Sequence, residues 1–239
     1  MKIFKTIFRL DFPPAYRILD KLGEYSELIH TKTDKEPFTK GIGNINLLQH
    51  SLSHTSKIGD DTFTINLDLK TFNSVIEFQD GLNIDKLVKV PLFGLADEII
   101  EKLEDAYSSK YNRIGFRSFI ISEKKEFNFI KLRDYIWNFN KTFGNALIDH
   151  FKEKLGIAIS FESKSENEEN IRFQLGPYQH NERIKYFSLK NEGMIFDIDI
   201  WQSNISVPKL KSVEIIRNYQ KIYKDLVKKI ELQISEALK

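Results

Sequence analysis

The sequence predicts an α+β fold of two tandem βαββ(β)α halves, residues 1–110 and 111–239, with antiparallel sheets covered by helices. Three observations predict it. Period-two alternation, the mark of a strand with one buried face, gives way to three- and four-residue spacing, the mark of an amphipathic helix. That order of strand, helix, antiparallel strands and helix occurs twice along the chain. The chain also closes on a long amphipathic helix, Pro208–Leu238. At 239 residues it exceeds the usual domain size of ~100–150. The halves are therefore read as two units or as one fused domain.

In the opening strand, Lys2–Phe12, the positions Ile3, Lys5, Ile7 and Arg9 alternate with Phe4, Thr6, Phe8 and Leu10. Pro13 and Pro14 end it, because proline has no N–H to donate to a ladder. Pro14 suits the first turn of the next helix, Pro14–Ile29, where a missing N–H costs nothing. Tyr16, Leu19, Leu22, Tyr25 and Ile29 give that helix its apolar stripe, and Gly23 weakens it by about 1 kcal/mol.

The stretch Thr31–Gly43 reads as a loop. Several strands follow up to Phe78: Phe63, Ile65, Leu67 and Leu69 alternate with polar residues, and Val75–Phe78 pairs with them, with Asp80-Gly81 as turn residues. Leu95, Ile99, Leu103 and Tyr107 mark a helix over Pro91–Tyr107. The second round predicts a strand at Arg113–Ser122, a helix at Phe129–Leu155 and strands between Ile157 and Trp201. The acidic run Ser163–Asn170 fits a solvated hairpin loop. In the final helix Val213, Ile216, Tyr219, Tyr223, Leu226, Ile230 and Ile234 form the stripe, which either packs on the sheet or seams two copies together.

Composition narrows the class. Hydrophobic residues make up 41%, with 19 Phe and nine Tyr, enough for a sizeable core. Charge is nearly balanced, 36 basic against 34 acidic residues, which argues against a protein dedicated to coating DNA. There is no cysteine, so disulfides, thiolate catalysis and cysteine zinc sites are excluded. The N-terminus has no uninterrupted apolar run, and a cytoplasmic location is expected.

Candidate chemistry is sparse. His50 and His54, four apart, share a face of a strand or helix and are weak candidates for a shared metal. Asp197 and Asp199 alternate with Phe196, Ile198 and Ile200, so both carboxylates leave one strand face about 6.5–7 Å apart. That spacing suits a divalent cation or action on a glycosidic bond. Asp68 and Lys70 have the acid-x-Lys form of metal-dependent nucleases, which needs a further acid from Asp60 or Asp61. The plainer reading of both motifs is a set of solvent-facing strand residues. Arg113 and Arg117 flank Gly115 on one strand face, a geometry that admits a phosphate or carboxylate near the backbone or simply pairs with neighbouring acids. Arg217, Lys221, Lys224 and Lys228 form a basic side on the last helix. No phosphate loop, nucleophile elbow or dinucleotide fingerprint is present, and no cofactor is expected.

Three of these segments carry a resemblance. The opening strand running into Phe12-Pro13-Pro14, the central Arg113-Ile114-Gly115-Phe116-Arg117, and Ile195–Asp199 before a long terminal helix resemble a sporadically distributed family of prokaryotic proteins with no assigned activity. The loop Thr31–Gly43 has no counterpart in that pattern. A patchy distribution implies, by association only, mobile modules such as defence or toxin–antitoxin systems.

The expected function is a non-enzymatic interaction or accessory protein that binds a protein partner, or a second copy, through the last helix or a sheet face. The alternatives are a nucleic-acid-binding protein whose basic side follows a phosphate backbone, and a metal-dependent nuclease or hydrolase using Asp68, Lys70, Asp197 and Asp199.

Overall fold

A single antiparallel sheet replaces the expected tandem halves. The computed structural model describes residues 1–34, 38–89, 98–102, 110–123, 131, 134, 159–178, 183–184, 187–188, 193–206 and 211–237. Eleven strands are present among them: β1 (Lys2–Asp11), β2 (Thr39–Asn46), β3 (Ser51–Ile58), β4 (Asp61–Leu67), β5 (Thr71–Leu82), β6 (Lys110–Glu123), β7 (Ile159–Lys164), β8 (Asn170–Tyr178), β9 (Arg183–Ile184), β10 (Phe187–Ser188) and β11 (Gly193–Ser206). Nine of them form one sheet in the order β2-β3-β4-β5-β1-β6-β11-β8-β7, while β9 and β10 pair separately. The helices are α1 (Arg17–Thr33) and α2 (Lys211–Ala237), and residues 98–102 are also helical. Strand outweighs helix among the described residues, 53% against 32%.

The correction has a physical cause. Period-two patterning says that a segment is a strand, but not which strand it pairs with. Here β1 takes β5 on one edge and β6 on the other, both antiparallel, so the opening strand fuses what read as two repeats into one ladder.

Two smaller corrections share a cause in glycine. The segment Thr31–Gly43 contains most of β2, whose Gly41 and Gly43 erase the alternation that marks a strand. Gly41 is required there: an added Cβ would lie 2.3 Å from Nε2 of His54. Asp80 and Gly81 do not turn the chain but lie inside β5. The helices predicted at 91–107 and 129–155 lie mostly outside the described residues, of which 98–102, 131 and 134 are helical. The acidic run forms the connection between β7 and β8.

Register assigns the two faces. One row of partners crosses the sheet from His54 through Ile65, Ser74, Phe8, Phe116 and Ile200 to Ile171. This face is covered by helices. From α1, Ile18, Leu22, Tyr25 and Ile29 are buried, and from α2, Ile216, Tyr219, Tyr223 and Val227. The ring of Phe116 meets Phe8 edge-on at 6.1 Å and Tyr223 at 5.4 Å, so β1, β6 and α2 share one aromatic stack. The apolar stripe of the final helix is thus spent on its own sheet.

The adjacent row lies on the opposite face. It runs Thr55, Thr64, Val75, Ile7, Arg117, Asp199, Arg172, Glu162. Its apolar-poor composition is what an antiparallel sheet shows on the side away from its core.

Candidate functional site

The chemistry-bearing residues gather on that second face, over β6, β11 and β8. Alternation brings Asp197, Asp199 and Trp201 to one side of β11, and Arg113, Gly115, Arg117 and Phe119 to the same side of β6. Arg172 joins from β8, directly opposite Asp199.

The two acids are engaged by arginines rather than free. Arg113 donates from Nη2 to both oxygens of Asp199 at 2.9 and 2.8 Å, and Arg172 donates to Oδ2 of the same carboxylate at 3.3 Å. Arg117 donates from Nε to Oδ1 of Asp197 at 2.8 Å and from Nη2 to its Oδ2. Each guanidinium also lies over a ring: Arg113 5.0 Å and Arg172 5.9 Å from the centre of Trp201, and Arg117 4.9 Å from that of Phe119. Asp199 is buried, whereas about a third of the Arg113 and Arg172 side chains is exposed. The cations therefore roof the acid.

Gly115 explains how Arg113 reaches so far. Arg113 is opposite Ser203, four residues along β11 from Asp199, a run of about 13 Å. Its side chain must lie along the strand. An added Cβ at Gly115 would stand 3.1 Å from Arg113 Nε and 3.4 Å from Trp201 Cβ, so the glycine leaves the lane open.

The other sequence-predicted residues have structural roles or stand apart. His50 is an exposed turn residue with φ +50°, while His54 is buried on β3 beneath α1, so the two do not share a face. The His54 ring lies 2.9 Å from Thr33 Oγ1, whose own hydroxyl donates to the Ile29 carbonyl at 2.7 Å. With the Thr33 hydroxyl proton on the Ile29 carbonyl, the imidazole Nε2 is the donor to Thr33 Oγ1. Burial, and then the charge of His30, holds the His54 pKa below its ordinary value.

Asp68 organises the turn between β4 and β5: it accepts from the backbone N–H of Lys70 at 2.7 Å and of Thr71 at 2.8 Å, and from the Thr71 hydroxyl at 2.6 Å. Lys70 points to solvent. Strands β5, β1 and β6 separate β4 from β11, a span of roughly 19 Å, so Asp68 and Lys70 share no cleft with Asp197 and Asp199. Asp61 accepts from the backbone N–H of Gln79. Among the described residues no group of three or more His, Cys, Asp or Glu side chains is placed to hold a metal ion.

On α2, Lys224 and Lys228 both reach Asp85, at 2.9 and 3.1 Å. The hydrogen bonds from Lys224 and then Lys228 hold the Asp85 carboxyl below its usual range. Lys221 and Arg217 are exposed on the same helix. The basic side is thus partly neutralised within the chain.

Sequence reading passed over Arg172 and Trp201, although a signal existed for one of them. The alternation that aligns Asp197 with Asp199 continues two residues on to Trp201. Arg172, between Ile171 and Phe173, gave no sign of which strand it would face.

No protein-family model, curated protein or solved structure matches the chain. No described helix is long and apolar enough to cross a membrane.

Proposed function

We propose that this is a non-enzymatic interaction protein that adds an extended segment of a protein partner to the β2 edge of its sheet. The observation that carries this reading is the state of that edge. Among the described residues β2 pairs on one side only, with β3, and Ile42, Leu47 and Leu48 on the strand and its hairpin are 78, 74 and 95% exposed. An edge strand offers a row of main-chain donors and acceptors, and flanking apolar side chains supply the contacts that select a partner.

Two of the usual protections are weak here, although an irregularity interrupts the β2–β3 register between Thr39 and Ile42. Thr39–Asn46 contains no proline and a single charged residue, Lys40. A non-catalytic role also agrees with the uses found for Asp68, Asp197, Asp199 and His54, each engaged in a turn, an ion pair or a core contact.

The test is affinity capture from the source cell with wild type, Ile42→Lys and Leu48→Asp. The variants should keep the urea midpoint of the wild type and lose the captured protein. Capture unchanged in both would remove the β2 edge as the surface. Nuclease-sensitive material with salt-dependent binding would favour the nucleic-acid alternative instead.

A further inference from the structure

We infer that Arg113 and Arg172 together bind a phosphate group on the sheet face above Asp199. The two arginines come from strands on either side of β11, yet their Nη2 atoms reach the same oxygen, Asp199 Oδ2, at 2.8 and 3.3 Å. Both guanidiniums lie over the one Trp201 ring, so they are neighbours within the reach of a single small anion.

Charge favours occupancy. Two cations share one carboxylate, which leaves one positive charge in excess. Next to them Arg117 is already matched by Asp197. Glu162, opposite Arg172 in register, makes no ion pair with it.

Donor capacity points the same way. A guanidinium carries five N–H donors. Towards Asp199, Arg113 uses only Nη2 and Arg172 a single contact, and both Nε atoms are buried without a partner. Both guanidiniums are held over Trp201, and Arg113 also by the lane over Gly115, with about a third of each side chain facing solvent. Such a pair is organised before any ligand arrives.

The ligand must accept from two forks that approach from opposite sides. A carboxylate holds its two oxygens in one plane, whereas a tetrahedral phosphate presents oxygens out of that plane to forks on both sides. The phosphate is either free or a monoester on a small molecule.

The experiment is calorimetric titration of the full chain with inorganic phosphate and with a nucleoside monophosphate, at constant ionic strength set by sodium chloride. Wild type should show one saturable site. Arg172→Gln should weaken it at least tenfold while leaving the Arg113–Asp199 pair in place, with a cooperative urea transition to show that the chain is folded. Arg172→Lys, which keeps the charge and loses the fork, should also weaken it. Tighter binding of the ester would identify a phosphorylated small molecule as the ligand, and equal or weaker binding would identify free phosphate. No saturable heat at millimolar phosphate, or equal affinity in wild type and both variants, would overturn the proposal and leave the arginines a purely structural role.

Discussion

Arg113 on β6 and Asp199 on β11 are joined through one nitrogen, Nη2, which donates to both carboxylate oxygens although the two residues sit four positions out of register. Asp199 is 3% exposed, and Arg113 and Arg172 are its ion-pair partners. Asp199→Ala strands two guanidiniums on the sheet and should destabilise the protein by about 3 kcal/mol. Asp197→Ala, at a site 12% exposed and facing one arginine, should cost less. Urea unfolding at pH 7 measures both, and equal costs would show that the Asp199 cluster is no tighter than its neighbour.

Gly115→Ala should act on the same cluster without touching a charge. The new Cβ would press on Arg113 Nε at 3.1 Å, and Arg113 must shift by a few tenths of an ångström against Trp201 to relieve it. A stability loss of about 1–2 kcal/mol is expected. Trp201 emission should shift with it in a Trp137→Phe background, since its stacked cation moves. An unchanged spectrum would mean that the arginine adapts in place.

How far the sequence could be read follows from these residues. Alternation in Asp197-Ile198-Asp199 and in Arg113–Arg117 placed each pair of side chains on one face, because period two is a local property of a strand. That these two strands are neighbours, and that Arg172 lies on the far side of Asp199, is not local. Pairing depends on which hydrophobic rows match across the whole sheet, and β1 resolved that by taking partners at both edges. β2 escaped notice for the opposite reason, since its glycines serve His54 and leave no pattern to see. The His50–His54 spacing misled because His50 belongs to the turn that precedes β3, which begins at Ser51.

His54 should make stability sensitive to mild acid. The fold keeps the ring neutral, with its pKa below the ordinary value, whereas the unfolded chain takes up a proton near pH 6.5. Protons then bind the unfolded state preferentially, so the stabilisation is full above about pH 6.5 and declines as pH falls below it. Urea midpoints at pH 7.5 and 5.5 should fall more for wild type than for His54→Gln. An equal fall would assign the acid sensitivity to other groups.

Thr6 offers a change in the stabilising direction. Its hydroxyl is buried on the core face of β1 and has no hydrogen-bond partner. Thr6→Val removes the unsatisfied oxygen, keeps the β-branched shape and should raise stability by about 1 kcal/mol. Thermal unfolding checks it, and a lower Tm would show that the hydroxyl is satisfied after all.

The place of β1 in the middle of the sheet bears on how the chain is made. A ribosome releases residues 2–11 before the strands that flank them, and β5 can meet them once residue 82 has emerged. The second edge of β1 stays bare until the chain has passed Glu123, because only β6 covers it. During that interval the nascent protein carries an unpaired strand rich in phenylalanine, the kind of edge that captures other chains. Contacts of such long sequence separation also form slowly. Newly made protein should therefore depend on holding factors or low expression temperature, and truncation just before residue 110 should give an insoluble product.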